Sequence, residues 1–147
     1  MKIPMRVVNN EVRVEVYFRC PRIRTNIRPI IFVVDTGSTM SMLSYMDSFL
    51  LNMPFNFLAY KKNTDIANCN FDLYELHDAR FGFTDENNIL FRTEPQRFLA
   101  AQVTKRTIEK KRDAAIIPSI IGMDFMEKNN FALYCNAAKK IAYFETE

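Results

Sequence analysis

The sequence predicts a mainly β fold in a single domain spanning 1-147, with one or two short helices, and three observations carry that expectation. Val12, Val14 and Val16 alternate with Arg13, Glu15 and Tyr17, the period of a strand with one wet face. Ile30 to Val34 is an unbroken apolar run rich in β-branched residues, the mark of a strand covered on both faces. A second apolar run starts at Ala114 and closes on Ile120, Ile121 and Gly122. Only Tyr45 to about Met53 and Asp124 to Asn129 read as helices.

Composition bounds the rest. With 147 residues, 48% apolar and 25% charged, the chain has the make-up of one globular core. A net charge of +3 does not demand a nucleic-acid surface. Cys20, Cys69 and Cys135 lie far apart and are odd in number, which argues for reduced thiols rather than a disulfide framework. With His77 the sole histidine, no ligand cluster for zinc is present, and neither metal nor cofactor is expected. The N-terminus lacks the apolar core of a signal peptide and no apolar run approaches a membrane span, so a cytoplasmic protein without a membrane partner is expected.

Along the chain, the Val12 strand leads into a basic connection, Cys20 to Pro29, with Arg22, Arg24 and Arg28. It reads as a solvated hairpin tip, or as a contact for substrate or a partner chain. The Ile30 strand then runs into Asp35, Thr36, Gly37 and Ser38, small residues suited to a tight turn that carries one acid into the interior. A carboxylate at depth needs hydrogen bonds or a second ionisable group. The plain alternative is a strand-end turn whose Asp caps neighbouring N–H groups.

Met40 to Leu43 reads as a short strand, and Ser44 to Asp47 has capping-box spacing ahead of the first helix, whose Phe49, Leu50 and Met53 form a core-facing stripe. Pro54 stops that helix. Asn63 to Phe71 is small and polar between apolar runs, a hairpin with its tip at Ile66, Ala67 and Asn68, and Cys69 beside it reads as an incidental exposed thiol. Leu76 to Phe83 and Asn88 to Phe91 are strands about a Thr84 to Asn87 turn, and Phe98 to Val103 is another. Lys105 to Asp113 concentrates five basic and two acidic residues, a solvated loop or else a docking patch for an acidic substrate or nucleic acid. Phe131 to Cys135 and Lys140 to Phe144 form a closing hairpin.

Two stretches resemble the retropepsin-like aspartic proteases. Asp35, Thr36, Gly37 and Ser38 match that family's active-site motif. Ile120, Ile121, Gly122, Met123, Asp124, Phe125 and Met126 resemble its second signature, an apolar pair followed by Gly and a helix, with Met123 where many retroviral members carry Arg. The order of elements resembles the family over roughly residues 11–145. The resemblance implies a closed β-barrel, acid-protease lobe that forms a two-fold homodimer, because one chain holds one Asp-Thr-Gly and the family works with two aspartates sharing a proton around a water.

It further implies Asp35 as the catalytic group, Thr36 locking two such turns together, and Gly37 and Ser38 supporting them. Ser38 is expected to hydrogen-bond Asp35, favouring the ionised form and an acid-shifted optimum. The hairpin at Ile66, Ala67 and Asn68 takes the place of the family's flap, here without glycine, and Pro118 and Ile120 take the place of subsite walls. The implied activity is aspartic endopeptidase, acting on peptides or unfolded protein with large apolar side chains beside the cut. A non-catalytic dimerisation or peptide-binding module on the same fold is the alternative, and a nucleic-acid partner rests on the Lys105 to Arg112 cluster alone.

Overall fold

The computed structural model describes residues 1–146, with side chains at residues 108–111 outside the described set. Part of the basic cluster therefore lies outside the described residues. Strand β1 spans Lys2–Val8 and turns back at Asn9 and Asn10, both at positive φ, into β2, Glu11–Arg19. Two such residues make the mirror-image turn whose twist matches paired strands. Nothing in the sequence pattern singles out β1, because Pro4 interrupts it. The proline is tolerated since Lys2 turns its carbonyl to Glu86 at 3.0 Å and away from the C-terminal strand, and by alternation Pro4 faces the same unpaired way.

Strand β3, Pro29–Val34, pairs antiparallel with β2 from Val12↔Val34 to Tyr17↔Pro29. After the turn at Asp35 come β4, Met42–Leu43, and α1, Tyr45–Leu50. The helix is shorter than its spacing predicts: Asn52 at φ 56° takes the left-handed conformation and reverses the chain. Leu51 and Met53 are buried, Met53 as its place in the stripe predicts, but Phe49 is 67% and Leu50 37% exposed, so those two do not face the core as expected. A single 3₁₀ turn at Phe55–Phe57 follows.

A long hairpin comes next, β5, Ala59–Ile66, and β6, Cys69–Thr84, closed by the two residues Ala67 and Asn68 at φ 49° and 65°. Among the described residues eight non-glycine residues have positive φ, six of them Asn, and no glycine does. Asparagine thus takes the turn positions that glycine usually fills. Ala67 is the one hydrophobic residue among them, and a left-handed alanine carries strain of about 1–2 kcal/mol. Ala67→Gly is expected to stabilise the protein by about 0.5–1 kcal/mol after the unfolded chain's added freedom is deducted, read as a higher thermal midpoint.

Strands β7, Leu90–Arg92, and β8, Gln96–Val103, precede a 3₁₀ segment, Lys105–Lys110, and a third helix beyond the one or two expected, α2, Lys111–Ala115. The charge-rich loop expected there is instead helical, with Ala114 buried in the apolar cluster that includes Leu73 and Ile117. Strand β9, Ser119–Ile121, leads to α3, Met123–Asn129, and the chain closes with β10, Ala132–Asn136, and β11, Ile141–Glu145.

The strands pair in the order β10, β11, β1, β2, β3, β9, β4, β8, β6, β5, with β7 on β6 and a further pairing of β6 back to β2. The expected closed barrel is not what forms. The fold-back of β6 onto β2 covers only Tyr17↔Gly82 to Arg19↔Arg80, and the path keeps free ends at β10 and β5. Inside it a phenylalanine cluster fills the core, with Phe81 edge-on to Phe18, Phe32, Phe98 and Phe125 at centroid distances of 4.7–6.3 Å. Cys20 and Cys69 are buried and Cys135 exposed, so the exposed thiol expected at position 69 is not one, and burial pushes the Cys20 thiol up. No helix among the described residues is long and apolar enough to cross a membrane.

Candidate active site

Asp35 stands where β3 leaves the sheet. β3 lies parallel to β9 through Phe32↔Ser119, Val33↔Ile120 and Val34↔Ile121, and Asp35 N–H extends the ladder by donating to the Ile121 carbonyl at 2.9 Å. Ser38 N–H closes the turn onto the Asp35 carbonyl at 3.1 Å. Gly37 N–H donates to Asp35 Oδ1 at 2.9 Å, and a Cβ on Gly37 would come within 3.2 Å of that oxygen. The carboxylate is thus oriented by the backbone of its own turn.

Two expectations fail here. Asp35, Thr36 and Gly37 are exposed on the single chain, not interior, because the turn carries them past the end of the buried ladder. Ser38 does not reach Asp35 with its hydroxyl: Oγ donates to the Met40 carbonyl at 2.7 Å and receives Met40 N–H at 3.3 Å. That removes the cause given for an acid-shifted optimum.

The Gly122 segment clamps the turn from behind. Met123 N–H donates to the Ser38 carbonyl at 2.8 Å, and Gly122 N–H to Ser41 Oγ at 2.7 Å. Ser41 in turn donates through its hydroxyl to Asp124 Oδ1 and through its N–H to Asp124 Oδ2 at 3.1 Å. Any side chain at 122 would fall 2.6 Å from the Ser38 carbonyl oxygen and 3.1 Å from that of Met40. Ser41 and Asp124 escape sequence reasoning as supports of the turn; the sole hint is a polar Ser inside an apolar run.

Ser119 is a second tie. The Ser44 hydroxyl accepts Asp47 N–H at 3.0 Å, as capping-box spacing predicts, but the return bond runs through another strand: Ser119 Oγ accepts Ser44 N–H at 2.8 Å and donates to Asp47 Oδ2 at 2.6 Å. Ser119→Ala leaves a buried N–H and a carboxylate oxygen without that partner. A loss of about 1–3 kcal/mol is expected by denaturant titration, with Ser119→Thr recovering part of it.

The hairpin tip is held from beneath. Buried Asn70 receives the Thr104 hydroxyl on Oδ1 at 2.8 Å, sends its N–H to Thr107 Oγ1 at 2.7 Å, and donates from Nδ2 to Asn63 Oδ1 and Asp65 Oδ1 at 2.7 and 2.8 Å. Of the residues expected to bind substrate, Ile66 and Ile120 are half-buried and pack with Met40 on one apolar cluster that includes Met42, Phe71 and Leu73. Ala67, Asn68 and Pro118 are exposed and outside that cluster. Cavities of about 520 and 430 Å³ open elsewhere, beside Cys20 and His77 and beside Tyr17 and Arg92, and neither is lined by Asp35.

No protein-family model matches the chain, and no curated protein matches it. Among solved structures, the crystal structure of a retropepsin-like aspartic protease from Rickettsia conorii is similar at a TM-score of 0.57 and 13% identity, over 98% of this chain and 90% of that one. The chain thus shares the mainly β, retropepsin-like fold of that structure.

Proposed function

We propose that the chain is an aspartic endopeptidase that acts as a two-fold homodimer, with one Asp35 from each copy at the shared centre. The observation that carries this reading is the exposed, backbone-held Asp35 turn. Its carboxylate is oriented by Gly37 and its backbone clamped by the Gly122 segment, and the residue is exposed on the single chain. Two carboxyls brought within about 3 Å cannot both ionise, so they share one proton and divide the roles of acid and base.

In the proposed reaction the ionised carboxyl takes a proton from a water held between the two. The water oxygen forms the new bond to the scissile carbonyl carbon while the protonated partner donates to the carbonyl oxygen. Collapse breaks the C–N bond as the carboxyl that took the water's proton passes it to the amide nitrogen and a hydroxyl of the intermediate returns its proton to the other carboxylate, leaving a carboxylic acid and an amine. In this reading Thr36, exposed at the turn, ties the two copies together. Ile66 from the hairpin and Ile120 behind the turn, with Pro118 at the rim, fit an extended substrate with large apolar side chains beside the cut.

The test is cleavage of a mixture of unstructured peptides between about pH 3 and pH 7, at protein concentrations spanning the dimer's dissociation. Cuts at apolar sites are expected, with specific activity falling on dilution. A sedimentation-verified dimer that cuts nothing would sink the peptidase reading and leave a binding module on this fold.

A further inference from the structure

The third glycine of the chain has no role in the turn. Gly82 sits inside β6, buried, without positive φ, where glycine weakens a strand. Its cross-strand neighbours are Tyr17 on β2 and Arg92 on β7, and a Cβ would meet Leu90 Cδ1 at 3.1 Å and Tyr17 Cβ at 3.3 Å. Glycine here lets Tyr17 and Leu90 close in over β6, on the floor of a notch in the outer face of the sheet.

That notch is lined with arginine. Arg19 and Arg80 face each other one pleat further along β2 and β6, and Arg28 reaches in from the connection before β3, forming with Arg92 the wall of a cavity of about 430 Å³. Only Arg80 has an ion-pair partner among the described residues, Asp78 at 3.4 Å. Four guanidinium groups against one carboxylate in the lining, Glu94, leave a strong positive excess. Arginine's fork favours bidentate binding of carboxylates.

An open strand edge lies alongside. Thr93 N–H donates to the Phe81 carbonyl and Asp85 N–H to the Ile89 carbonyl, each at 2.9 Å. By antiparallel alternation the main-chain groups of Leu90 and Arg92 then point away from β6. No other described strand pairs with β7.

We propose that the outer face of β2, β6 and β7 is a second binding site, for an extended acidic peptide segment that adds to the free edge of β7 and sets its carboxylates on Arg19, Arg80 and Arg92. Alternate residues of such a strand would fall on the opposite face beside half-buried Phe91. A nucleic acid has no N–H and C=O ladder to complete that edge, and Glu94 opposes a continuous polyanion. Tyr17 lies opposite Pro29, the far end of β3 from Asp35 and roughly 20 Å along the strand. The site is therefore separate from the Asp35 centre and does not depend on the peptidase reading.

The experiment is fluorescence anisotropy of a labelled peptide alternating Glu and Val, titrated with the full chain carrying Asp35→Asn so that the probe stays intact. Saturable binding is expected, weakened about tenfold or more by Arg19→Gln with Arg92→Gln. The charge-matched pair Arg6→Gln with Arg106→Gln, on exposed arginines outside the notch, is expected to leave it unchanged. No binding, equal loss in both pairs, or release of the peptide by a single-stranded oligonucleotide would each overturn the proposal, the last assigning the face to nucleic acid. Circular dichroism confirms that each variant is folded.

Discussion

Asp35→Asn is expected to lower peptide cleavage by about 10²- to 10⁴-fold while leaving the fold intact. The bond from Gly37 N–H to Oδ1 needs only an acceptor, which the amide oxygen of Asn supplies, so the turn keeps its geometry. What disappears is the group that holds and releases a proton. Because the side chain is exposed on the single chain, the thermal midpoint should move little, within about 0.5 kcal/mol of stability. The sharper arm is mixing. If wild-type and Asp35→Asn chains exchange at equal amounts, about a quarter of the dimers keep both aspartates, and activity should fall toward that fraction. Retention of half the activity would mean that each chain works alone, and the shared centre would be wrong.

What the sequence discloses here is what local pattern can carry. The alternation of Val12, Val14 and Val16 and the two apolar runs at Ile30 and Ile120 become β2, β3 and β9, each within a few residues. The tip at Ala67 and Asn68 is legible because Asn tolerates the left-handed conformation. β1 is hidden by Pro4, harmless only because of which edge it faces, a matter settled by a partner over a hundred residues away.

The supports of the candidate site are hidden for the same reason. Ser41 meets Asp124 across 83 positions, Ser119 meets Ser44 across 75, and Asn70 meets Thr107 across 37. No local periodicity encodes such pairs. Continuing the burial of Ile30 to Val34 one residue further places Asp35 too deep, and the spacing of Phe49, Leu50 and Met53 does not show which face of the short helix α1 meets the core. At Asp35 a turn changes which side the chain presents.

Gly122→Ala should be the most damaging of the chain's three glycine-to-alanine changes. The added carbon would lie 2.6 Å from the Ser38 carbonyl oxygen, a backbone atom that cannot swing aside as a side chain could. Overpacking of this kind costs about 1–3 kcal/mol, which for a chain of this size lowers the thermal midpoint by several degrees. Relief requires the two segments to part, which stretches the bonds from Met123 N–H to Ser38 and from Asp35 N–H to Ile121. A carboxylate displaced by about 1 Å would forfeit around 10²-fold in rate even in the molecules that remain folded. Gly37→Ala separates the two effects. Its Cβ would press at 3.2 Å on Asp35 Oδ1 alone, so activity should fall while the midpoint stays near wild type. A Gly122→Ala chain with unchanged midpoint and unchanged cleavage would show that the Gly122 segment does not hold the turn, and the link between that contact and Asp35 would fail.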